Sequence, residues 1–315
     1  MGADPSAVAQ PVGWWWWIAL TLVAAAAQTA RNAMQKGLTA SLGTVGATLV
    51  RFVFGLPFAA LSLLAVTFAT GIALPRISGG FLLWVALGAL TQIAATALML
   101  AAMRQRSFVV ATAYVKTEAV QVAVFGLIFL SEGLSLLAVV AIITATAGVF
   151  IMSLPGSAPA AGGATWQPVL MGLLAGSFFA ASAVGFKGAI VTLGAGGAGS
   201  GSFVMDATFT LVCGLLIQTL LLTSWQATRD RRVLVAMMQA WRPSLLAGFM
   251  GALASQMWFL AFAIATTAHV RTLGLVEILF AHALSHKLFS QHTSRMEISG
   301  IVLVMAGTFL LMINA

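Results

Sequence analysis

The chain has 315 residues, of which 61% are hydrophobic and only 7% are charged, and its mean hydropathy is +1.04. Soluble domains carry about 25% charged residues, so this composition excludes a soluble protein and predicts a surface that faces lipid. The net charge of +8 does not indicate a nucleic-acid binder, because the basic residues fall mostly in short loops without interleaved aromatic residues. The single cysteine, Cys213, excludes a disulfide framework and a cysteine metal site.

Ten apolar segments follow one another along the chain, each near the roughly 20 residues that a spanning helix needs. Backbone groups in lipid must find hydrogen-bond partners within the segment, and segments of this length are too long for barrel strands, so they predict helices. Trp14 to Trp17 open the first segment and predict an interfacial anchor. The predicted spans are 14–33, 44–69, 80–103, 107–130, 134–153, 167–187, 203–223, 245–265, 269–290 and 296–313.

Two connections are long. Residues 154–166 are rich in Pro, Gly and Ala and uncharged, which predicts a linker between a first five-helix unit, 1–153, and a second, 167–315. Residues 224–244 form the other, which is basic. Because each unit has an odd number of spans, the second is inverted in the membrane, and internal similarity would make the pair an inverted repeat, as in many secondary transporters.

A weak internal similarity supports that architecture. A shift of 159 residues places Glu118 on Glu277 and Gly148 on Gly307. A shift of 155 instead aligns the stretch around Lys116 with that around Arg271, and the two shifts differ by about one helical turn. We prefer 159, because it runs without a gap through two successive spans.

Several motifs resemble the EamA-type branch of the drug/metabolite transporter superfamily. They are Tyr114-Val-Lys-Thr-Glu118, Phe129-Leu-Ser-Glu132 and Ala147-Gly148, and the resemblance covers nearly the whole chain. It implies ten helices, inverted repeats, a central substrate cavity and export or exchange of small metabolites, without naming a substrate. The chain departs from the pattern at Gln291, which stands where the second half would repeat the glutamate, and its single tyrosine does not suit the family's aromatic amino-acid exporters.

Two glutamates fall inside predicted spans. A charge at the centre of a span costs at least about 2.5–3.5 kcal/mol, so its presence needs a reason. Glu118 lies near the middle of span four, and Glu277 lies within span nine. The functional interpretation is a substrate or proton site between the halves; the structural alternative is an ion pair with Lys116, Arg51 or Arg271.

Polar neighbours accompany Glu118. Tyr114, Glu118 and Gln121 have the spacing i, i+4 and i+7, which predicts one polar stripe facing a cavity. Lys116 lies two residues from Glu118, so on a continuous helix it would project to nearly the opposite face. We therefore expect Lys116 to bind a partner on another helix, with Glu277 as one candidate, and not Glu118.

Four further residues complete the candidate site. Arg51 lies deep in span two, whereas Arg31 ends span one, where we expect it to reach the interface. Asp206 begins span seven and could cap that helix or pair with Arg51 or with the lysine of span four. His282 and His286 have the spacing i, i+4, but no clear third ligand follows, so a polar lining role is favoured over a metal site.

These patterns predict an all-α integral membrane protein with ten transmembrane helices as two inverted five-helix repeats, multi-pass in the inner (plasma) membrane. The predicted function is secondary transport, as exporter or exchanger, of a small polar metabolite by alternating access, with proton coupling as an option. The substrate-binding or coupling candidates are Arg31, Arg51, Tyr114, Lys116, Glu118, Gln121, Asp206, Arg271, Glu277 and His282.

The substrate class follows from charge. The deeper cations, Arg51, Lys116 and Arg271, are matched by three anions, which favours an amino acid or a small carboxylate over a bare cation. No Walker A sequence or nucleophile elbow appears, so we expect neither an enzyme nor a cofactor or metal. The expected partners are a small-molecule substrate and the bilayer, and a monomer is possible. A membrane-embedded enzyme and a channel or sensor remain the alternatives.

The basic residues outside the deep positions predict the orientation. Two of them, Arg76 and Lys187, fall on the side of the even-numbered loops and the termini. The other side carries Arg31, Lys36, Arg104, Arg106, Arg229, Arg231, Arg232, Arg242, Lys287 and Arg295. The positive-inside rule then places the 224–244 loop in the cytoplasm and both termini outside, whereas the family resemblance implies cytoplasmic termini.

We expect a cysteine at position 230, in a Cys213→Ala background, to resist a membrane-impermeant maleimide in intact cells. The reason is the basic charge of its loop, which favours the cytoplasmic side. The same cysteine should react after the membrane is permeabilised, which controls for accessibility. Efficient labelling of intact cells would put the loop outside and overturn this orientation.

Overall fold

In a computed structural model, the chain is described over residues 15–105, 108–152, 166–195, 201–289 and 295–313. Every regular element in these ranges is a helix, which confirms the all-α prediction. The helices are α1 (Trp16–Val53), α2 (Leu56–Thr70), α3 (Gly79–Gln105), α4 (Phe108–Val115), α5 (Glu118–Leu130), α6 (Leu136–Met152), α7 (Gln167–Ala195), α8 (Phe203–Arg229), α9 (Arg231–Gln239), α10 (Trp241–Ile264), α11 (Thr267–Leu273), α12 (Glu277–Phe289) and α13 (Arg295–Ile313).

Within the described ranges, six helical segments are long and apolar enough to cross a membrane. They are Trp16–Thr70, Gly79–Gln105, Ala111–Leu130, Gln167–Gly194, Phe203–Arg229 and Trp241–Ile264. Large apolar side chains project outward, for example Phe68, Leu83 and Leu136, each more than three-quarters exposed. In water such a surface would be an aggregation hazard, so the exterior fits an integral membrane protein.

The first two predicted spans differ from the helices observed. The connection predicted at 34–43 is helical, and α1 kinks only at Gly43, whose φ of 68° favours glycine. The second span is divided at 54–55, just before Pro57 at the start of α2. The division has a local reason, because proline lacks an N–H group and clashes with the carbonyl of the preceding turn. The basic connection 224–244 also contains a helix, α9.

Spans four and nine are each divided near their middle. A turn at 116–117 separates α4 from α5, and a 3₁₀ turn, Gly274–Val276, separates α11 from α12. Glu118 is the first residue of α5, and Glu277 is the first residue of α12. Both carboxylates therefore lie at the positive end of a helix dipole, which stabilises them.

The helices pack mainly across the two halves. α3 lies along α7, α1 along α10, and α6 along α13. Gly88 and Gly185 bring α3 and α7 into backbone contact, since a Cβ at Gly185 would lie 2.7 Å from the backbone nitrogen of Gly88. Phe186 packs against Phe259 of α10 with tilted rings, at 4.6 Å between ring centroids. An apolar core thus joins α3, α7 and α10.

The α6–α13 interface depends on two glycines. A Cβ at Gly148 would lie 2.6 Å from the carbonyl oxygen of Gly300, and a Cβ at Gly307 would lie 2.7 Å from that of Ala141. A shift of 159 residues takes Gly148 to Gly307 and Ala141 to Gly300, so the two contacts correspond. Small residues of this kind let membrane helices approach closely.

We expect Gly307→Ala to lower the melting temperature of the purified protein, because the added methyl group meets the backbone of α6. Overpacking of this kind costs about 1–3 kcal/mol. Gly37→Ala is the matched control, since Gly37 is also helical but a Cβ there would meet nothing within 4 Å. That change should be neutral or stabilise by about 0.5–1 kcal/mol. Equal melting temperatures for the two variants would contradict the packing described.

Candidate functional site

Four charged side chains meet where the two divided spans face each other. Lys116 comes from the turn between α4 and α5, Glu118 from the start of α5, Arg271 from α11, and Glu277 from the start of α12. None of these four residues is more than 5% exposed. All four were predicted from the sequence as site residues, and in the structure they lie together.

Lys116 contacts both carboxylates. Its Nζ lies 2.5 Å from Oε2 of Glu277 and 3.5 Å from Oε1 of Glu118. Nη1 of Arg271 lies 3.5 Å from the same Oε1 of Glu118. Charges therefore alternate in sign from α12 to α11, and the order is Glu277, Lys116, Glu118, Arg271. Each carboxylate has at least one cationic partner in the interior.

The expectation that Lys116 would not pair with Glu118 is wrong. It assumed a continuous helix, in which residues two apart face nearly opposite ways. The turn at 116–117 interrupts that geometry. The turn also divides the predicted polar stripe, since Tyr114 belongs to α4. Tyr114 packs closely on α7, because a Cβ added at Gly172 would lie 2.5 Å from the Cβ of Tyr114. Gln121 follows Glu118 on α5, and its buried Oε1 has no hydrogen-bond partner.

Glu277 also accepts hydrogen bonds from α1. Nε2 of Gln28 donates to its Oε2 over 2.7 Å, and Nδ2 of Asn32 donates to its Oε1 over 3.0 Å. Nε1 of Trp258 in turn donates to Oε1 of Gln28 over 2.9 Å. These three residues were not among the site residues predicted from the sequence. The available signal was the i, i+4 spacing of Gln28 and Asn32 within an apolar span.

Arg31 lies inside the protein, with no exposed surface. Its Nε and Nη2 donate to Oδ1 of Asn32 over 3.2 and 2.6 Å. The expectation that Arg31 would reach the membrane interface is therefore wrong. The physical reason is the length of α1, which continues past Arg31 to the kink at Gly43 and places the guanidinium in the interior.

Arg51 is the second buried arginine of the first half, and it is 2% exposed. Its Nη1 donates to Oγ1 of Thr96 over 3.1 Å, and its Nη2 donates to Oγ of Ser255 over 3.4 Å. A Cβ at Gly251 of α10 would lie 3.2 Å from Cδ of Arg31 and 3.3 Å from Cγ of Arg51. The two arginine side chains therefore converge on the same glycine.

Two further candidates, Asp206 and His282, lie on α8 and α12. Asp206 is buried in the first turn of α8, but the N-cap of that helix is Ser202, whose side chain accepts from the backbone N–H of Met205. His282 is half-buried on α12, and the side chain of His286 lies outside the described part of the chain. Within the described ranges, no three His, Cys, Asp or Glu side chains cluster as metal ligands.

A further pair of charges, not selected from the sequence, holds the connection between α10 and α11. Lys187 of α7 donates to the carbonyl oxygens of Phe262 and Ala265, at the C-terminal end of α10. Oε2 of Glu132 accepts from the backbone nitrogen and the hydroxyl of Thr267, at 2.9 and 2.5 Å. Each charge opposes the helix dipole it meets. Both line a cavity of about 360 Å³.

Comparison with known proteins identifies the fold and not the activity. No protein-family model matches the sequence, and no curated protein is detectably similar to it. Among 27 matching chains in solved structures, one crystal structure, described only as that of a protein, superposes with a TM-score of 0.64 at 13% identity. The match covers 94% of this chain and 97% of that one, so the two share their fold over nearly their full lengths.

We expect Lys116→Met and Glu277→Gln to be coupled in their effects on stability. Each single variant should lower the melting temperature, because breaking a buried ion pair costs about 3–5 kcal/mol. The double variant should lose less than the sum of the two, because it removes both charges.

The matched control is the exposed pair Arg229→Gln and Asp230→Asn at the end of α8. These two changes should each stay within about 0.5 kcal/mol of the parent and combine additively. Additive losses at Lys116 and Glu277 as well would show that their contact is energetically irrelevant.

Proposed function

We propose that the protein is a secondary transporter with ten transmembrane helices arranged as two inverted five-helix repeats, 1–153 and 167–315, in the plasma membrane. It exports or exchanges a small polar metabolite, an amino acid or a small carboxylate, by alternating access. One observation carries the proposal, namely the buried charge cluster of Lys116, Glu118, Arg271 and Glu277 where two divided spans meet.

The helix bounds support the repeat. A shift of 159 residues takes α5, Glu118–Leu130, onto α12, Glu277–Phe289, and takes the first residue of α4 onto the first residue of α11. The packing is consistent with the same exchange. If each helix is exchanged for its counterpart in the other half, the α3–α7 contact becomes the α10–α1 contact, and the α6–α13 contact is unchanged. The resemblance to EamA-type transporters noted in the sequence points to the same arrangement.

The charge cluster supports transport because stability alone does not call for it. Buried ion pairs contribute little net stability, and apolar side chains often replace them without loss. Ionisable groups within membrane helices are functional by default. Secondary transporters commonly bind substrate at the midplane, between repeats, where helices are discontinuous. Glu118 and Glu277 occupy such positions, at the start of one half-helix in each repeat.

Alternating access fits the burial of the cluster. Because none of its four residues is more than 5% exposed, a substrate reaches them only when helices of the two halves separate. Separation must exchange the Lys116–Glu277 contact for other partners, since leaving either charge unpaired in the interior is costly. A substrate carboxylate could take the place of Glu277 beside Lys116, and a proton on Glu277 would favour that exchange. This is the proposed route to proton coupling.

We expect Glu118→Gln and Glu277→Gln to reduce flux at least about tenfold in proteoliposomes while the protein still folds and inserts. Each change removes a buried charge that a proton or substrate must exchange with, and a loss of about 1.4 kcal/mol already gives that factor. The assay is uptake of labelled amino acids and small carboxylates, without ATP, into vesicles preloaded with the same compound.

Asp230→Asn is the control for these variants, because Asp230 is an exposed carboxylate outside the cluster. Its flux should match that of the parent. Unchanged flux in both glutamine variants would reject the role of the cluster. Chemical conversion of a compound without vesicle-dependent accumulation would indicate a membrane-embedded enzyme, and flux that does not saturate would indicate a channel.

A further inference from the structure

The buried charges of the interior do not balance once Arg31 is counted. Among the described residues, the cations buried beyond nine-tenths are Arg31, Arg51, Lys116 and Arg271, and the corresponding carboxylates are Glu118, Asp206 and Glu277. The count made from the sequence gave three deep cations and three anions, because Arg31 was expected at the interface and was left out. Its burial adds an uncompensated positive charge in an environment where such a charge is costly.

We propose that the site binds a net anion, a small organic acid or a compound with equivalent acidic oxygens, through Arg31, Arg51 and Arg271. This rests on the proposed transport function and narrows its substrate class. A zwitterion carries no net charge, so it would leave the excess positive charge of the interior uncompensated. An anion would neutralise that excess.

The three arginines each keep an unused donor. Nη1 of Arg31, Nε of Arg51 and Nε of Arg271 are buried and have no hydrogen-bond partner in the part of the chain that the structure describes. Buried polar groups are bonded in the great majority of cases, so three exceptions on three neighbouring cations point to a ligand with several acceptor oxygens. Guanidinium groups suit that ligand, because their planar forks match carboxylate and phosphate oxygens.

The neighbours of Arg31 and Arg51 leave their charge available. The hydrogen bonds of Arg31 go to the neutral amide of Asn32, and those of Arg51 go to the hydroxyl groups of Thr96 and Ser255. By contrast, Glu277 is occupied by Lys116 and by two amide donors. The arginines therefore retain the capacity for an ionic partner.

Arg271 is held differently, between aromatic rings. Its guanidinium carbon lies 4.5 Å from the ring centroid of Trp258 and 5.3 Å from that of Phe262. Cation–π contacts involve the face of a guanidinium and leave its N–H groups free to donate in the plane. Arg271 is thus positioned to donate from its edge while it still contacts Glu118 through Nη1.

The three arginines come from both halves of the chain. Arg31 and Arg51 belong to α1, and Arg271 belongs to α11. Arg31 and Arg51 lie within electrostatic range of each other, of Arg271 and of Glu277. An anion bound among them contacts both halves and favours the arrangement in which they are closed together. The charge of the substrate would then contribute to closure as well as to selection.

The test uses four compounds that share a four-carbon skeleton and differ in net charge. Succinate carries two negative charges, aspartate one, asparagine none, and 1,4-diaminobutane two positive charges. Each is added to purified full-length protein in detergent at matched ionic strength, and the melting temperature is measured. Inorganic phosphate serves as a second anion with a different shape.

We expect an anion at about 100 times its Kd to raise the melting temperature by roughly 5 °C. Succinate should have the largest effect, with a smaller one from aspartate and none from asparagine or the diamine. An equal or larger rise with asparagine or the diamine would overturn the proposal. So would the absence of any rise with succinate, aspartate and phosphate.

Variants separate the arginine site from a general effect of anions. Arg51→Gln and Arg31→Lys should lose most of the succinate-dependent rise, while Arg229→Gln, an exposed arginine at the end of α8, should keep it. A rise retained in both buried-arginine variants would refute the assignment. If Arg51→Gln does not fold, Arg31→Lys still decides, because it keeps the charge and removes only the fork.

The outcomes also separate this inference from the proposed function. Anion-dependent stabilisation without flux in proteoliposomes would keep the anion site and reject transport. Saturable flux of asparagine or the diamine, without stabilisation by anions, would keep transport and reject the anion site.

Discussion

The contact between Lys116 and Glu277 joins the two halves of the chain in its apolar interior. A buried charge is tolerated only with a well-placed opposite charge and further hydrogen bonds, and here Gln28 and Asn32 supply the latter. One carboxylate thereby fixes the relative positions of α1, the α4–α5 turn and the start of α12. The helices that carry these groups have little freedom to shift independently.

The breaks in spans four and nine and the charges beside them belong together. On a continuous helix, Lys116 and Glu118 could not both face α11 and α12. The turn at 116–117 lets Lys116 contact both glutamates, and it leaves Glu118 at the N-terminus of a half-helix. The 3₁₀ turn Gly274–Val276 does the same for Glu277. Each break therefore aligns the dipole of a half-helix with a carboxylate. It also interrupts the hydrogen-bond ladder of the helix backbone, which makes room for partners from the other half.

Most of the fold could be predicted because hydropathy reports burial in lipid directly. The segments predicted at 167–187 and 203–223 lie within α7 and α8, and the segment predicted at 245–265 ends one residue beyond α10. The misplaced connection at 34–43 has a local reason, since it is composed mainly of good helix formers and ends at its only kink, Gly43. The break at 116–117 contains neither glycine nor proline, so only tertiary packing explains it.

The sequence predicted which residues belong to the candidate site, but it did not predict which of them contact one another. Charged residues within an apolar span are conspicuous because lipid cannot accommodate them, which is why Glu118, Glu277, Lys116 and Arg271 were selected. Their pairing depends on helices distant in sequence, which no spacing reveals. The depth of Arg31 depends on where α1 ends, so an error in one helix boundary became an error in the charge balance of the site.

The ends of α3 and α10 suggest how the closed site opens. Lys187 and Glu132 hold the end of α10 and the start of α11, beside the cavity of about 360 Å³. A second cavity, of about 350 Å³, lies at the end of α3, where Arg104 donates a hydrogen bond to Thr44 over 3.5 Å.

A shift of 159 residues takes the end of α3 onto the end of α10, so in the proposed inverted repeat these cavities face opposite sides of the membrane. One side is closed by two charged groups matched to helix dipoles. At the other, the side-chain contacts include the 3.5 Å hydrogen bond from Arg104 to Thr44 and the 3.6 Å contact between Nε2 of Gln105 and Sδ of Met171. In the proposed alternating-access cycle, the weaker contacts at the end of α3 would let the halves separate there first. Access to the opposite side would then require Lys187 and Glu132 to release the α10–α11 connection, and the energy of those contacts would set the difference between the two open states.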